Sequence, residues 1–142
     1  MNGDRDRGTT LLFFPAALLV MVVLASITVD FARLHLGQRQ ADDLAAATAN
    51  DAVTVGLDET AMRSGAGYRL DVSRVDAVVA AHLAGADRST LRGVTARGSV
   101  QGARSVTVTV AAHVPLAFAH AVPGTPASVG IRARATATVQ LR

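Results

Sequence analysis

Residues 11–29, LLFFPAALLVMVVLASITV, are nineteen side chains without a charge, thirteen of them Leu, Ile, Val, Phe or Met. As an α-helix rising about 1.5 Å per residue the run covers roughly 28 Å, which matches the ~30 Å hydrocarbon core of a bilayer. Each large apolar side chain favours insertion by about 0.3–0.6 kcal/mol. The stretch therefore reads as a transmembrane helix and not as the core helix of a soluble domain, which rarely runs so long without a charge. Gly8-Thr9-Thr10 supply a helix start, and Pro15 then falls near the first turn, where its missing N–H costs least.

Flanking charge sets the orientation only weakly. Arg5 and Arg7 precede the span and Arg33 and Arg39 follow it, a tie that the N-terminal amine tips toward a cytoplasmic N-terminus. A second reading is a cleaved secretory signal, since Val23-Leu24-Ala25 before Ser26 has small residues at a suitable spacing. Against it, the apolar run is longer than an ordinary signal core and continues beyond that site.

Beyond the span, residues 30–55 hold no Pro and a single Gly, Gly37, so the helix continues. Phe31, Leu34, Ala41, Ala45, Ala49 and Ala52 recur at helical spacing as one narrow stripe. Its small side chains permit close approach of another backbone, either the protein's own sheet, the commoner arrangement, or a partner subunit. Residues 56–67 carry three glycines among polar residues and read as a loop. Residues 71–84, DVSRVDAVVAAHLA, place Val72, Val75, Val79 and Leu83 on one face of a second, short helix, with Asp71 or Ser73 as N-cap and Gly85 past its end.

From Val94 the period changes to two. Val94, Ala96, Gly98 and Val100, then Val106, Val108 and Val110, alternate with polar residues around Gln101-Gly102-Ala103, which predicts a β-hairpin. Ile131, Ala133, Ala135, Ala137, Val139 and Leu141 alternate with Arg132, Arg134, Thr136, Thr138, Gln140 and Arg142 in a further strand, one face packed and one wet. Between them, residues 115–126 contain three prolines, so Leu116-Ala117-Phe118 reads as a loop pinning an apolar plug over the sheet edge. The fold class is α+β: a long N-terminal helix that continues from the membrane into the soluble domain, a short second helix, and a small antiparallel sheet of three to four strands. The chain divides into a cytoplasmic tail (1–10), the transmembrane helix (11–29), its extracytoplasmic extension (30–57) and a small α+β extracytoplasmic domain (58–142).

Composition narrows function further. All fourteen basic residues are Arg, and eleven acids leave a net charge of +3, with aromatics at 4%. Scattered arginines without stacking aromatics do not make a nucleic-acid surface. No cysteine is present, which removes disulfides and thiolate metal sites. His35, His82, His113 and His120 lack metal-ligand spacing. Asp42-Asp43 and Asp58-Glu59 are adjacent pairs whose side chains diverge, and they read as solvated charge. Gly65-Ala66-Gly67 lacks the strand and third glycine of a phosphate loop, and Ser99 and Ser105 lack a nucleophile elbow. The sequence thus assigns no catalytic, cofactor-binding or metal-ligating residue, no cofactor and no small-molecule substrate.

Arg7-Gly8 before the apolar run, Asp30-Phe31-Ala32-Arg33 at its exit and Arg39-Gln40-Ala41-Asp42-Asp43-Leu44-Ala45-Ala46-Ala47 resemble the N-terminal signature of the TadE/TadG-like proteins of tight-adherence (Flp) pilus assembly. Phe118-Ala119-His120 followed by the ARATAT run of residues 133–138 is similar to the family's C-terminal strand. Prepilin-type members carry Glu as the fifth residue after the cleaved Gly; counted from Gly8 that position is Phe13, so the chain looks nearer the TadG type. The resemblance implies a non-catalytic, pilin-like subunit of the cytoplasmic membrane, single-pass, N-terminus in and C-terminal domain outside. Its implied partners are membrane lipid and other pilus-assembly or secretion-system membrane proteins, with contact through Ala41, Ala45, Ala49 and Ala52 as the sharper of the two readings of that stripe. The competing class is a membrane-anchored or signal-peptide-exported extracytoplasmic binding or sensor domain unrelated to pili.

Overall fold

A computed structural model describes the backbone of residues 5–118 and 124–140, with side chains from residue 13. α1 (Arg5–Val55) is one uninterrupted helix of 51 residues. It ends at the residue where the helical pattern gives way to Gly56. Its beginning differs from the expectation, because Gly8-Thr9-Thr10 are already helical and Pro15 sits inside the helix. Proline removes one hydrogen bond in such a position. The apolar half leaves Phe13, Phe14, Leu18 and Met21 half to three-quarters exposed on the bare chain, and α1 is long and apolar enough to cross a membrane. The hydroxyls in that half are satisfied internally, Ser26 donating to the Val22 carbonyl at 2.7 Å and Thr28 to that of Leu24 at 2.9 Å.

After α1 the chain makes a five-residue helix, α2 (Glu59–Arg63), within what the sequence presents as a loop. The Asp58 side chain accepts from the Thr60 and Ala61 N–H groups and starts that turn. A backbone bridge between Leu57 and Leu70 closes the excursion. α3 (Val72–Gly85) begins at the N-cap Asp71 and buries Val75 and Val79. Val72 is exposed and Leu83 half-buried, so the apolar face is narrower than its four-residue pattern.

Three antiparallel strands follow in the spatial order β1 (Arg92–Gln101), β2 (Ser105–Pro115), β3 (Ser128–Thr138). The hairpin turns at Gly102, whose φ of 66° is the left-handed conformation that glycine adopts without strain. The register sets Val106 opposite Ala137, Val108 opposite Ala135 and Val110 opposite Ala133. Arg97, Thr109 and Arg134 share a row on the other face. The alternation read from Val94 to Val139 therefore holds on all three strands. Pro115 closes β2 instead of opening the loop, since a proline tolerates the end of a strand where no ladder N–H is required.

The core lies between the inner sheet face and a layer made of the second half of α1 and of α3. Ala41, Ala45, Ala49 and Ala52 pack with Val75, Val79, Val106, Val108, Val110 and Ala133 in one buried cluster. The arrangement sets small side chains on the helix against valines on the central strand, which draws the layers close. Gly37 shows how close. A Cβ on it would overlap Val114 Cγ2, so this buried helical position accepts no side chain unless the Val114 side chain shifts. Leu91, Ala112 and Val114 form a second, smaller cluster there, with Leu34 and Ile131 against it.

One expectation for the connection between β2 and β3 needs correction. Leu116-Ala117-Phe118 is no plug over a sheet edge: Phe118 is 44% exposed. Its backbone instead reaches across to α1, where the Asp30 carboxylate accepts from the Ala117 N–H at 2.6 Å and the Phe118 N–H at 3.2 Å. His120, Ala119, Leu141 and Arg142 lie outside the described residues.

Candidate functional site

The titratable side chains singled out in the sequence go to separate places. His82 Nε2 lies 2.8 Å from Asp51 Oδ2, joining α3 to α1. His113 is exposed on the open sheet face, and its ring is the nearest side chain to both Gly93 and Gly130 on the neighbouring strands. His35 is exposed on α1. No group of three His, Cys, Asp or Glu able to hold a metal occurs among the described residues. Asp42 and Asp43 are both exposed, Asp42 accepting from the Gln38 amide at 3.0 Å. Asp58 is spent on the α2 cap. Glu59 pairs with Arg63 at 2.9 Å and Arg74 at 3.5 Å, on the surface where such pairs contribute little. The Ser73 hydroxyl and N–H donate to Asp71 and hold its carboxyl below the ordinary aspartate range.

The alanine stripe offers no surface to a partner in this fold. Ala41, Ala45 and Ala52 are 0% exposed and Ala49 is 1% exposed, all against the chain's own sheet and α3. The intramolecular reading of the stripe is the one realised, and the intersubunit contact expected through these four alanines is corrected accordingly. A small-residue stripe encodes close approach but not the identity of the approaching surface.

Three other surfaces are left for recognition. One is the apolar half of α1. The second is the outer sheet face, which no element among the described residues covers and which carries Arg97, Arg132 and Arg134 among Thr95, Thr109 and Thr138. Hydroxyls brace this face, with Thr107 Oγ1 2.8 Å from Thr136 Oγ1 and Ser105 Oγ 3.0 Å from Thr138 Oγ1. No ion pair to any of the three arginines occurs among the described residues.

The third is a groove where α1 leaves its apolar half, lined by Arg33, Leu36, Ser89, Thr90, Arg92 and Pro115. Arg92 Nη1 is held by the carbonyls of Arg88 at 2.8 Å and Leu91 at 3.2 Å. Ser89 is positioned by Asp87, whose carboxylate accepts from its N–H and hydroxyl. Sequence reading missed both this groove and the Asp30 clasp, because their parts come from α1, the α3–β1 connection and the end of β2. The only local signal was an arginine one helical turn past the apolar run.

Comparison of the chain with family models, curated proteins and solved structures finds no match in any of the three.

Proposed function

We propose that this protein is a non-catalytic, pilin-like subunit anchored in the cytoplasmic membrane by the first half of α1, with its α+β domain outside, and that it assists assembly of a tight-adherence pilus or a related secretion filament. The observation that carries this reading is the division of one continuous helix into an exposed apolar half and a half packed on a small antiparallel sheet. That is the build of a subunit held in a membrane and ready for lateral association. The residue pattern from Arg7 to Ala47 supports it through its resemblance to TadE/TadG-like proteins. With the alanine stripe used internally, association falls to the apolar half of α1 and to the outer surface of the domain.

Anchoring is tested by alkaline washing of membranes: the full chain stays and is released only by detergent. A soluble product beginning at Ser26 replaces the anchor with an exported domain. A reporter fused after Arg142 is active only outside the cytoplasm if the orientation is right. Deletion of the gene reduces filament number or length; unchanged filaments and adhesion reject the assembly role. The open face bearing Arg97, Arg132 and Arg134 favours the competing reading, an anchored extracytoplasmic binding domain, in that event.

A further inference from the structure

We infer that the groove between Arg33 and Arg92 binds the phosphate of a membrane phospholipid headgroup and so seats the domain flush on the bilayer, an inference that rests on the first half of α1 being a membrane span.

The depth of the groove carries the argument. If the hydrocarbon ends at Val29, Arg33 stands four residues further along α1, about 6 Å above that boundary. The headgroup layer on each side of a bilayer extends roughly 5–7 Å beyond the hydrocarbon. Arg33 therefore lies at phosphate level. The Asp30 clasp ties the lower edge of the groove to this level, because Ala117 and Phe118 are bound to the first residue past the span and Pro115, a groove residue, is two positions from Ala117. Phe31, 71% exposed, and Phe118 then stand at the boundary, where an aromatic ring is accommodated.

The chemistry of the lining agrees with that depth. Arg33 and Arg92 both line the groove and neither is ion-paired among the described residues, Arg92 spending one Nη on the Arg88 and Leu91 carbonyls. Guanidinium groups recognise phosphate oxygens through paired N–H donors, and Ser89 and Thr90 complete the lining, the Ser89 hydroxyl being held by Asp87. The nearby acids are engaged: Asp30 accepts two backbone N–H groups, and Asp87 accepts from Ser89. Pro115, at the clasped lower edge of the groove, supplies an apolar contact suited to the glycerol end of a lipid, which a free anion does not need.

The test reconstitutes the full chain into vesicles of phosphatidylglycerol and, separately, of a phosphate-free neutral glycolipid, and follows modification of each arginine by phenylglyoxal with peptide mass mapping. In phosphatidylglycerol, Arg33 and Arg92 are expected to react about fivefold more slowly, the equivalent of ~1 kcal/mol per basic residue at an anionic surface, while Arg97 and Arg134 on the open face are unchanged. The Arg33→Gln variant, altered at an exposed position, should lose most of the protection at Arg92. Equal protection in both vesicle types would show simple shielding by the membrane, and equal protection by soluble glycerol phosphate a general anion site; either overturns the proposal. A chain that remains integrated after alkaline wash but reacts freely at Arg33 and Arg92 also overturns it and leaves the anchor standing. A chain that washes off removes anchor and proposal together.

Discussion

The two halves of α1 are one helix with two chemistries. From Phe13 to Val29 large apolar side chains point in every direction and lie exposed. From Gly37 to Val53 the buried apolar residues are mostly small and lie on one stripe, while Ala46, Ala47, Asp42, Asp43 and Asn50 are exposed. Side-chain size and angular spread, not hydrophobicity alone, distinguish a helix surface meant for fluid lipid from one meant for a fixed sheet. Lipid tails fill any gap around a bulky residue, whereas a rigid sheet at close range favours alanine and glycine at the points of closest approach.

The sharpest way to break the comparison is to place the same charge in both halves. Ala49→Glu buries an unpaired carboxylate in the core and should cost several kcal/mol, comparable to the whole stability of a small domain. Protein abundance and the cooperative unfolding transition should both be lost. Val22→Glu should cost membrane insertion about 2–3 kcal/mol while the unfolding transition of the domain in detergent stays within error. If both variants unfold the domain, the halves are not independent.

A smaller effect tests close approach at the start of the packed half. Gly37→Ala should destabilise by about 1–2 kcal/mol, since overlap with Val114 outweighs the gain in helix propensity. Combined with Val114→Ala, which removes the overlapping methyl, the pair should cost less than the sum of the single changes by roughly 1 kcal/mol in a double-mutant cycle. Simple additivity would place the two side chains apart.

At the junction between the halves, Asp30→Ala removes the acceptor of two backbone N–H groups and should cost about 1 kcal/mol. The change should appear first as faster hydrogen exchange of the Phe118 amide, with core amides little affected. Unchanged exchange at Phe118 would show that the clasp does not hold the loop.

The smallest effect is a pH dependence at the start of α3. Because the Asp71 carboxyl is held below its ordinary value when folded, its contribution is present above the unfolded value of about 3.9 and is lost as pH falls through the folded value. Asp71→Asn keeps a capping oxygen but cannot ionise, so it should flatten the acid limb of a stability profile below about pH 4 and lower neutral stability slightly by the charge-assisted part of the Ser73 contacts. An acid limb identical to that of the parent chain would place the titration elsewhere.

Much of the architecture was legible before the structure. The apolar run, the end of α1 at Val55, the extent of α3 and the inward face of each strand follow from residue spacing, because a helix or strand repeats its environment every few positions. α2 was not legible: five residues are too few for a period, and only Asp58 as a cap hinted at it. The narrow face of α3 was also missed, since Val72 has the right spacing but lies beyond the reach of the sheet.

Sequence by itself determined that the chain has a helix long and apolar enough for a membrane and an α+β domain with one packed sheet face, since those properties are written in neighbouring residues. Tertiary structure alone decided that the Ala41–Ala52 stripe is covered by the chain's own strands. It also decided that Gly37 meets Val114, that Asp30 clasps a loop 87 residues away, and that Arg33 and Arg92 line one groove. Each of these depends on which of several compatible surfaces comes to rest against the helix, and local periodicity specifies a surface's shape and polarity without specifying its partner.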